Sequence, residues 1–403
     1  MKLKKIKLGD VLDVKRGTSL SGKYYDTTGT KIRLTLGNFN YPLGGFKNNT
    51  SKLDIYFNGP VKDEFILKKG DVITPLTEQV RGLLGETARI PDSDVYIQSG
   101  DIGLLIPNEN KLDKSYMYHL ISSDMIKNQL SKGAQQTKIR HTSPDKIKDC
   151  VAWIPDLNTQ KQIGKFLDNI DSKIANNNAI SKELESMAKT IYDYWFLQFE
   201  FPDKDGKPYK SNGGKMIWND QLKQEIPEGW EVSTVKNILG DYPRTKTIES
   251  KEYGLGTLYP IIDQSKDTYI CGYTNDKEKV LNLTDAIVCG DHSNKSKYVN
   301  FPFARGADGT QILNSNNPKL PNYLLYQEII SLPEIEKGYS RHFKFLKAQN
   351  VTIPTLDTAK DYINIVSNML LQQREIIKEN QQLQSLRDFL LPMLMNEQVT
   401  FDN

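Results

Sequence analysis

Ile154-Pro155-Asp156-Leu157-Asn158-Thr159 and Ile353-Pro354-Thr355-Leu356-Asp357-Thr358 are two versions of one phrase, displaced by 199 residues. Each closes a strand-and-turn segment and opens a long stretch without internal turn signals. Behind the first, Ile163, Ile170, Leu184 and Ile191 fall on one seven-residue series whose polar member is Asn177, and Phe166, Ile180, Met187 and Tyr194 stand three residues later. Behind the second, Tyr362, Met369, Ile376, Leu383 and Leu390 repeat that series 199 residues on, flanked by Ile365, Leu386 and Met393. Such spacing predicts two coiled-coil seams. Five heptads exceed the usual globular helix of about 8 to 20 residues, so the two seams are expected to pair with each other. Asn177 then serves as a register device.

Working outward, each half is a globular segment followed by a helix. Gly44-Gly45, Asn58-Gly59-Pro60, Lys69-Gly70-Asp71, Ile90-Pro91-Asp92 and Ile106-Pro107-Asn108 punctuate β-prone runs such as Asp71-Val72-Ile73-Thr74, and one helix is expected over Ser115 to Leu130. After a polar connector containing Pro202-Asp203-Lys204-Asp205-Gly206 and Ser211-Asn212-Gly213-Gly214, a second unit starts near Ile226-Pro227-Glu228-Gly229-Trp230. It carries a strand at Asp285-Ala286-Ile287-Val288 and a helix at Tyr323 to Ile330. Smaller echoes support duplication. Leu67-Lys68-Lys69-Gly70-Asp71-Val72-Ile73 resembles Leu281-Asn282-Leu283-Thr284-Asp285-Ala286-Ile287, and Arg140-His141 and Arg341-His342 both precede the Ile-Pro phrase. Elsewhere the halves differ freely, as two separate ligand specificities require.

Composition bounds the class. The 403 residues, 38% hydrophobic and 26% charged with 20 Tyr, suit two soluble domains rather than a disordered chain. Met1-Lys2-Leu3-Lys4-Lys5-Ile6-Lys7-Leu8 lacks the apolar core of a signal peptide, and no run could span a bilayer, so a cytoplasmic location is expected. Cys150, Cys271 and Cys289 fit a reducing compartment, and Cys289 with His292 and Cys271 lacks the fourth ligand of a structural zinc site. A net charge of +3 means that any DNA contact comes from local patches, with a partner subunit supplying part of the phosphate neutralisation.

Catalytic patterns are weak. Pro91-Asp92 with Glu109-Asn110-Lys111 matches an acidic-pair nuclease only loosely, and both elements sit in turns. Tyr253-Gly254-Leu255-Gly256 is a lone Gly-x-Gly without a following helix, an Asn-Pro-Pro element is missing, and no phosphate-cradling loop occurs. The chain is expected to catalyse nothing. The alternative to a DNA reader is a coiled-coil scaffold that binds proteins.

The order and duplication of these parts resemble the specificity subunit of a type I restriction-modification system. The likeness covers the variable domain, the helix ending Ile191-Tyr192-Asp193-Tyr194-Trp195-Phe196, the connector through Pro227-Glu228-Gly229-Trp230, the second variable domain, and the helix ending Arg387-Asp388-Phe389-Leu390-Leu391-Pro392. The first half lacks a counterpart of Pro-Glu-Gly-Trp and starts at Leu8-Gly9-Asp10-Val11. The resemblance implies an α+β architecture: two mixed, strand-rich target recognition domains joined by two long helices in an antiparallel coiled coil, with a pseudo-two-fold internal repeat. The expected bounds are 1–156 and 227–354 for the recognition domains, 157–200 and 355–398 for the spacer helices, and 201–226 for the connector. It also implies double-stranded DNA, two methyltransferase subunits and restriction subunits as partners, with S-adenosylmethionine, ATP and magnesium on those partners and no cofactor on this chain. A helix of about 36 residues is roughly 54 Å long. Two readers on such a pair would stand about one to one and a half DNA turns apart, at roughly 34 to 36 Å per turn.

Base reading needs Arg or Lys toward guanine and Asn or Gln toward adenine, among phosphate contacts that position the protein. The first domain offers Lys23, Arg33, Asn38, Asn40, Lys47, Arg81, Gln135, Gln136, Lys138 and Arg140. The second offers Arg244, Lys246, Gln264, Lys266, His292, Asn294, Lys295, Lys297, Arg305 and Arg341. Apolar side chains at the helix ends, Trp195, Phe196 and Phe199 with Phe389, Leu391 and Leu394, are expected to dock the methyltransferase subunits.

Overall fold

Both copies of the Ile-Pro phrase turn a strand into a helix by the same device. The computed structural model describes residues 3–41, 44–49, 52–78, 82–133, 140–242, 245–265, 269–291, 293, 295–307, 309–333 and 342–395. The chain divides into two units, Met1–Ile174 with Gln382–Asn403, and Ala175–Gln381.

In the first unit the strand Val151–Ile154 pairs antiparallel with Lys4–Lys7. Pro155 ends the pairing. The Asp156 carboxylate then accepts from the Asn158 and Thr159 amides at 3.0 and 3.1 Å, capping the long helix Leu157–Tyr192. A four-stranded antiparallel sheet orders Leu12–Arg16, Ile102–Pro107, Val72–Pro75 and Ala88–Arg89. A second sheet of short strands holds Tyr25–Asp26, Tyr56–Phe57, Ile32–Arg33 and Tyr96–Ile97. Leu8, Leu105, Tyr116 and Ile147 form a core with Ile163 and Leu167 from the start of this helix and Leu394 and Met395 from the end of the second long helix, Leu356–Met395. Further along, Arg387 Nη1 donates to Asp171 Oδ1 at 3.0 Å, so the two helices run antiparallel here.

The second unit repeats the plan. Asn350–Ile353 pairs antiparallel with Glu231–Thr234, Pro354 interrupts, and Thr355 Oγ1 accepts from the Thr358 amide at 3.2 Å. Two sheets follow: Gly272–Thr274, Tyr259–Ile262, Phe303–Arg305 and Val280–Leu281, and Ser296–Val299, Ala286–Gly290 and Thr310–Leu313. A helix spans Asn322–Ser331. The repeat extends to single bonds. The Leu8 amide donates to the Cys150 carbonyl, and the Val235 amide to the Gln349 carbonyl, 199 residues after Cys150, both at 2.9 Å. Here too the long helices run antiparallel. Trp195 and Tyr362 rings lie 6.1 Å apart, Gln373 Nε2 donates to the Ser181 carbonyl at 2.9 Å, and Asn177 Nδ2 donates to Asn380 Oδ1 at 2.9 Å and Glu379 Oε2 at 2.8 Å. Asn177 is buried, as a register-setting polar residue should be.

Two expectations need correction. The inward line of the first long helix joins the Ile163 series to the series four residues later, Leu167, Ile174, Ser181, Ala188 and Trp195. Ile180, Met187 and Tyr194, three residues later, are exposed. In heptad geometry the gaps alternate between three and four residues, and apolar residues at both offsets hide which one faces the partner. The helix expected over Ser115 to Leu130 is two, Lys114–Ile121 and Asp124–Gly133. Ser122 and Ser123 hydroxyls donate back to the His119 and Leu120 carbonyls between them. The connector is folded. Met216–Asn219 and Gln224–Pro227 form a hairpin, and Phe201 stacks on Tyr209 and Trp230.

No helix among the described residues is long and apolar enough to cross a membrane. Leu167→Ala should lower the unfolding free energy by about 2–5 kcal/mol, whereas Ile180→Ala should change it by less than about 0.5 kcal/mol; denaturant midpoints with unchanged slopes check both. Glu328 gives a pH signature. Burial raises its carboxyl to about 7, against hydrogen bonds from Thr352 and Tyr192. An acid whose folded value is raised binds its proton more tightly when folded. Stability should therefore fall as pH rises from about 4.5 to 7, by up to roughly 3 kcal/mol. Glu328→Gln should remove that slope, and melting curves between pH 5 and 8 that fall in parallel for both proteins contradict it.

Candidate nucleic-acid interface

In the first unit the candidate side chains separate into those the fold consumes and those left at its surface. Arg33 is buried: its Nη2 pairs with Asp54 at 3.2 Å, its Nε donates to the Asp54 carbonyl at 3.0 Å, and its guanidinium lies 3.8 Å from the Tyr25 ring centroid. Asn38 is buried in the turn Leu36–Asn38, where its Oδ1 accepts from the Thr35 amide and its Nδ2 donates to the Lys47 carbonyl. That turn brings Asn38, Asn40 and Lys47 together, because the Lys47 amide donates to the Asn38 carbonyl and the Asn40 amide to the Gly45 carbonyl. Lys23 is exposed, with its ammonium over the Tyr24 ring. Arg140 is half-buried against Glu78 and Ser131. Arg81, Gln135, Gln136 and Lys138 lie outside the described residues.

In the second unit the strand end at Gly290 gathers a comparable set. The Gly290 amide donates to the Lys295 carbonyl, and a Cβ on Gly290 would come within 2.7 Å of Gln264 Cβ. Glycine therefore allows the close approach that brings Gln264 and the Lys295 backbone both against Gly290. Lys297 is buried and donates to the Asp263 carbonyl at 2.8 Å, and desolvation depresses its basicity. Arg305 is half-buried, with Nη2 on the Thr245 carbonyl beside the exposed Lys246. Arg244, Lys266, His292, Asn294 and Arg341 lie outside the described residues. Of the cysteines weighed as zinc ligands, Cys289 is buried beside Ser296 and Cys271 donates to Asp263 Oδ1 at 2.7 Å.

The residues expected to dock partners need correction, because they complete the chain's own cores. Trp195, Phe196 and Phe199 are buried with Trp230 and Tyr362 in the second unit, and Leu394 is buried in the first with Leu391 packed on it. Large aromatic rings next to a helix end bury most surface by closing the adjacent domain. Of the six, Phe389 faces solvent, at 64% exposure. The apolar surface that the helices present in the second unit includes Ile180, Met187 and Tyr194, at seven-residue spacing, and Leu197, Ile365 and Leu371 are exposed as well.

Asp168 carries no signal in the sequence, because base-reading chemistry points to cations and amides. Asp168, on the first long helix, receives Arg89 Nη2 at 2.7 Å and faces His119 Nε2 at 2.9 Å. Burial opposes its ionisation, but these hydrogen bonds outweigh it and hold the carboxyl at about 2. The strand-rich part of the first unit is thereby tied to its helix. The lining of a cavity of about 530 Å³ nearby includes Glu86, Lys127, Asp171 and Arg387, and these four pair with one another, Lys127 with Glu86 and Arg387 with Asp171.

Comparison with known proteins matches this arrangement. Residues 2–186 fit the family model described as type I restriction modification DNA specificity domain. The chain is 26% identical over 135 residues to the type I restriction enzyme MjaIX specificity subunit of Methanocaldococcus jannaschii, covering 34% of this chain and 29% of that relative, less than a third of its length. It is 24% identical over 407 residues to a putative type I restriction enzyme MjaX specificity subunit of the same organism, covering 89% of this chain and 87% of the relative. Its fold is similar to the crystal structure of a type I restriction-modification system S subunit from M. genitalium, with a TM-score of 0.52 at 15% identity, covering 100% of this chain and 97% of that one. The chain is therefore similar along most of its length to type I restriction enzyme specificity subunits, and its residues 2–186 match their DNA specificity domain.

Proposed function

We propose that this chain gives a type I restriction-modification complex its DNA sequence specificity, each recognition domain reading one half of a split target in double-stranded DNA. The observation that carries this is the preserved scaffold with divergent faces. The strand pair, the capped helix start and the amide bond of Leu8 or Val235 recur in both units. The amides and cations differ: Asn38, Asn40 and Lys47 share one turn of the first unit, and Gln264 and Lys295 flank Gly290 in the second. Exposed Lys23, Lys246 and Lys295 are suited to phosphate, and half-buried Asn40 and Gln264 to base edges. The long helices set the unread spacer.

In this reading the chain performs no chemistry and holds no cofactor. Two methyltransferase subunits carry S-adenosylmethionine, restriction subunits carry ATP and magnesium, and the complex works in the cytoplasm. The methyltransferase subunits seat on the exposed stripe of Ile180, Met187 and Tyr194, because the aromatic helix ends are occupied by the chain's own cores.

Binding of the chain with its methyltransferase partner to duplex DNA should weaken about a thousandfold between 50 and 200 mM salt, as for a protein making several phosphate contacts. A salt-insensitive complex without DNA preference favours a protein-binding scaffold instead. Exchange of residues 227–352 for another second domain should change one half of the methylated target, and a change in both halves contradicts independent reading. Met187→Glu should abolish stoichiometric co-purification with the methyltransferase subunit without lowering the melting temperature; retained stoichiometry argues against the stripe.

A further inference from the structure

Among the described strand pairs two are parallel, and each unit holds one of them. Ile32–Arg33 runs beside Tyr96–Ile97 in the first unit, and Tyr259–Ile262 beside Phe303–Arg305 in the second. The matching residues Ile32 and Ile261, and Tyr96 and Ala304, do not stand 199 residues apart, so the sequence repeat does not reveal them. In both units the chain leaves the first strand of this pair into an amide-bearing segment built around one buried polar residue. In the second unit that residue is Asp263, whose Oδ1 accepts from the Ser265 amide at 2.8 Å and whose Oδ2 accepts from the Tyr253 hydroxyl at 2.9 Å, with Gln264 half-buried between Asp263 and Ser265.

In the first unit it is Asn38. The Thr35 amide and hydroxyl donate to Asn38 Oδ1 at 2.9 and 3.2 Å, Thr35 Oγ1 accepts from Asn49 Nδ2 at 2.8 Å, and Asn38 Nδ2 donates to the Lys47 carbonyl at 3.2 Å. Asn38 and Asn49 are both buried. Between these anchors the backbone doubles back as a ribbon. Phe39 bridges Phe46 antiparallel, the Lys47 amide donates to the Asn38 carbonyl, and the Asn40 amide donates to the Gly45 carbonyl, both at 2.9 Å. Residues 42 and 43, beyond this ladder, lie outside the described residues. Side chains alternate along such a ribbon. Phe39 and Phe46 turn inward, where Phe46 stands edge-on to Tyr96 of the parallel pair with ring centroids 5.1 Å apart. Asn40 and Lys47 therefore take the opposite face. Gly45 lies across from Asn40 and has no side chain to cover it, and the Asn40 side-chain amide has no hydrogen-bond partner among the described residues.

A two-stranded ribbon is one of the elements that the major groove of B-DNA admits, and asparagine pairs bidentately with adenine there. We infer that this ribbon reads the first half of the target in the major groove: Asn40 takes an adenine, and Thr35, Asn38 and Asn49 are positioning residues that hold the ribbon without touching DNA. The inference rests on the specificity reading above.

The test uses the chain assembled with its methyltransferase partner, and duplexes carrying the methylated target or that target with one base pair changed at each position in turn. Asn40→Ala should lower discrimination at one A·T position by at least about fivefold, the selectivity of a bidentate contact, at an unchanged melting temperature. That position should lie in the half that survives exchange of residues 227–352. Thr35→Val, which removes the hydroxyl linking Asn38 to Asn49, should relax the same position, and Thr35→Ser should keep it read, a pattern that a general loss of stability does not produce. Unchanged discrimination at every position, relaxation at a G·C position or in the other half, or a uniform loss of affinity after Asn40→Ala overturns the reading by Asn40. Thr35→Val that relaxes nothing or fails to fold overturns the positioning role, the latter because the network would then be holding the core. A wild-type complex without any sequence preference instead overturns the specificity reading.

Discussion

The constraint on which the structure depends is burial of one narrow line of side chains along each long helix. Neither line can be hidden by its own helix, and each unit solves this identically. The first turns of a helix pack under the strand pair that launched it, and the last turns of the other helix return antiparallel beside them. Ile163 and Leu167 meet Leu394 and Met395 in one unit, and Tyr362 and Val366 meet Trp195 and Phe196 in the other. Hydrophobic burial supplies the drive, and polar residues set the register. Asn177, bonded to Glu379 and Asn380, accepts one alignment, because a slip would leave buried amides without partners.

A scaffold held this tightly leaves its outer segments free to diverge. Backbone bonds such as those of Leu8 and Val235 depend on position, not on side-chain type, so they persist while faces change. The long helices, the capping residues and the returning helix ends belong to the common part. Asn38 and Lys47 in one unit and Gln264 and Lys295 in the other belong to the divergent part. The proposed reading of a split target needs that division, since two independent half-targets require two faces on one frame.

Legibility follows the same division. The duplication, both long helices and the strands at Val72 and Ala286 can be read from periodicity and punctuation, because each is enforced by a repeating burial demand. The choice between Ile180 and Ser181 as inward residue cannot, since the alternating three- and four-residue gaps place apolar side chains on both sides of the seam. Arg33 and Asn38 look like readers in the sequence, yet their long-range partners Asp54 and Lys47 draw them inside. Phe196 and Phe199 look like docking side chains until Trp230, contributed by a later segment, covers them. Residue type identifies chemistry. Tertiary partners decide where that chemistry points.

The most direct measurement of the central claim is a map of methylated adenines in DNA from a host that carries this chain together with its methyltransferase partner. Two short specified elements separated by a gap of constant length and free sequence are the predicted result. A single continuous motif, or two elements whose separation varies from site to site, would contradict a pair of readers held on paired helices.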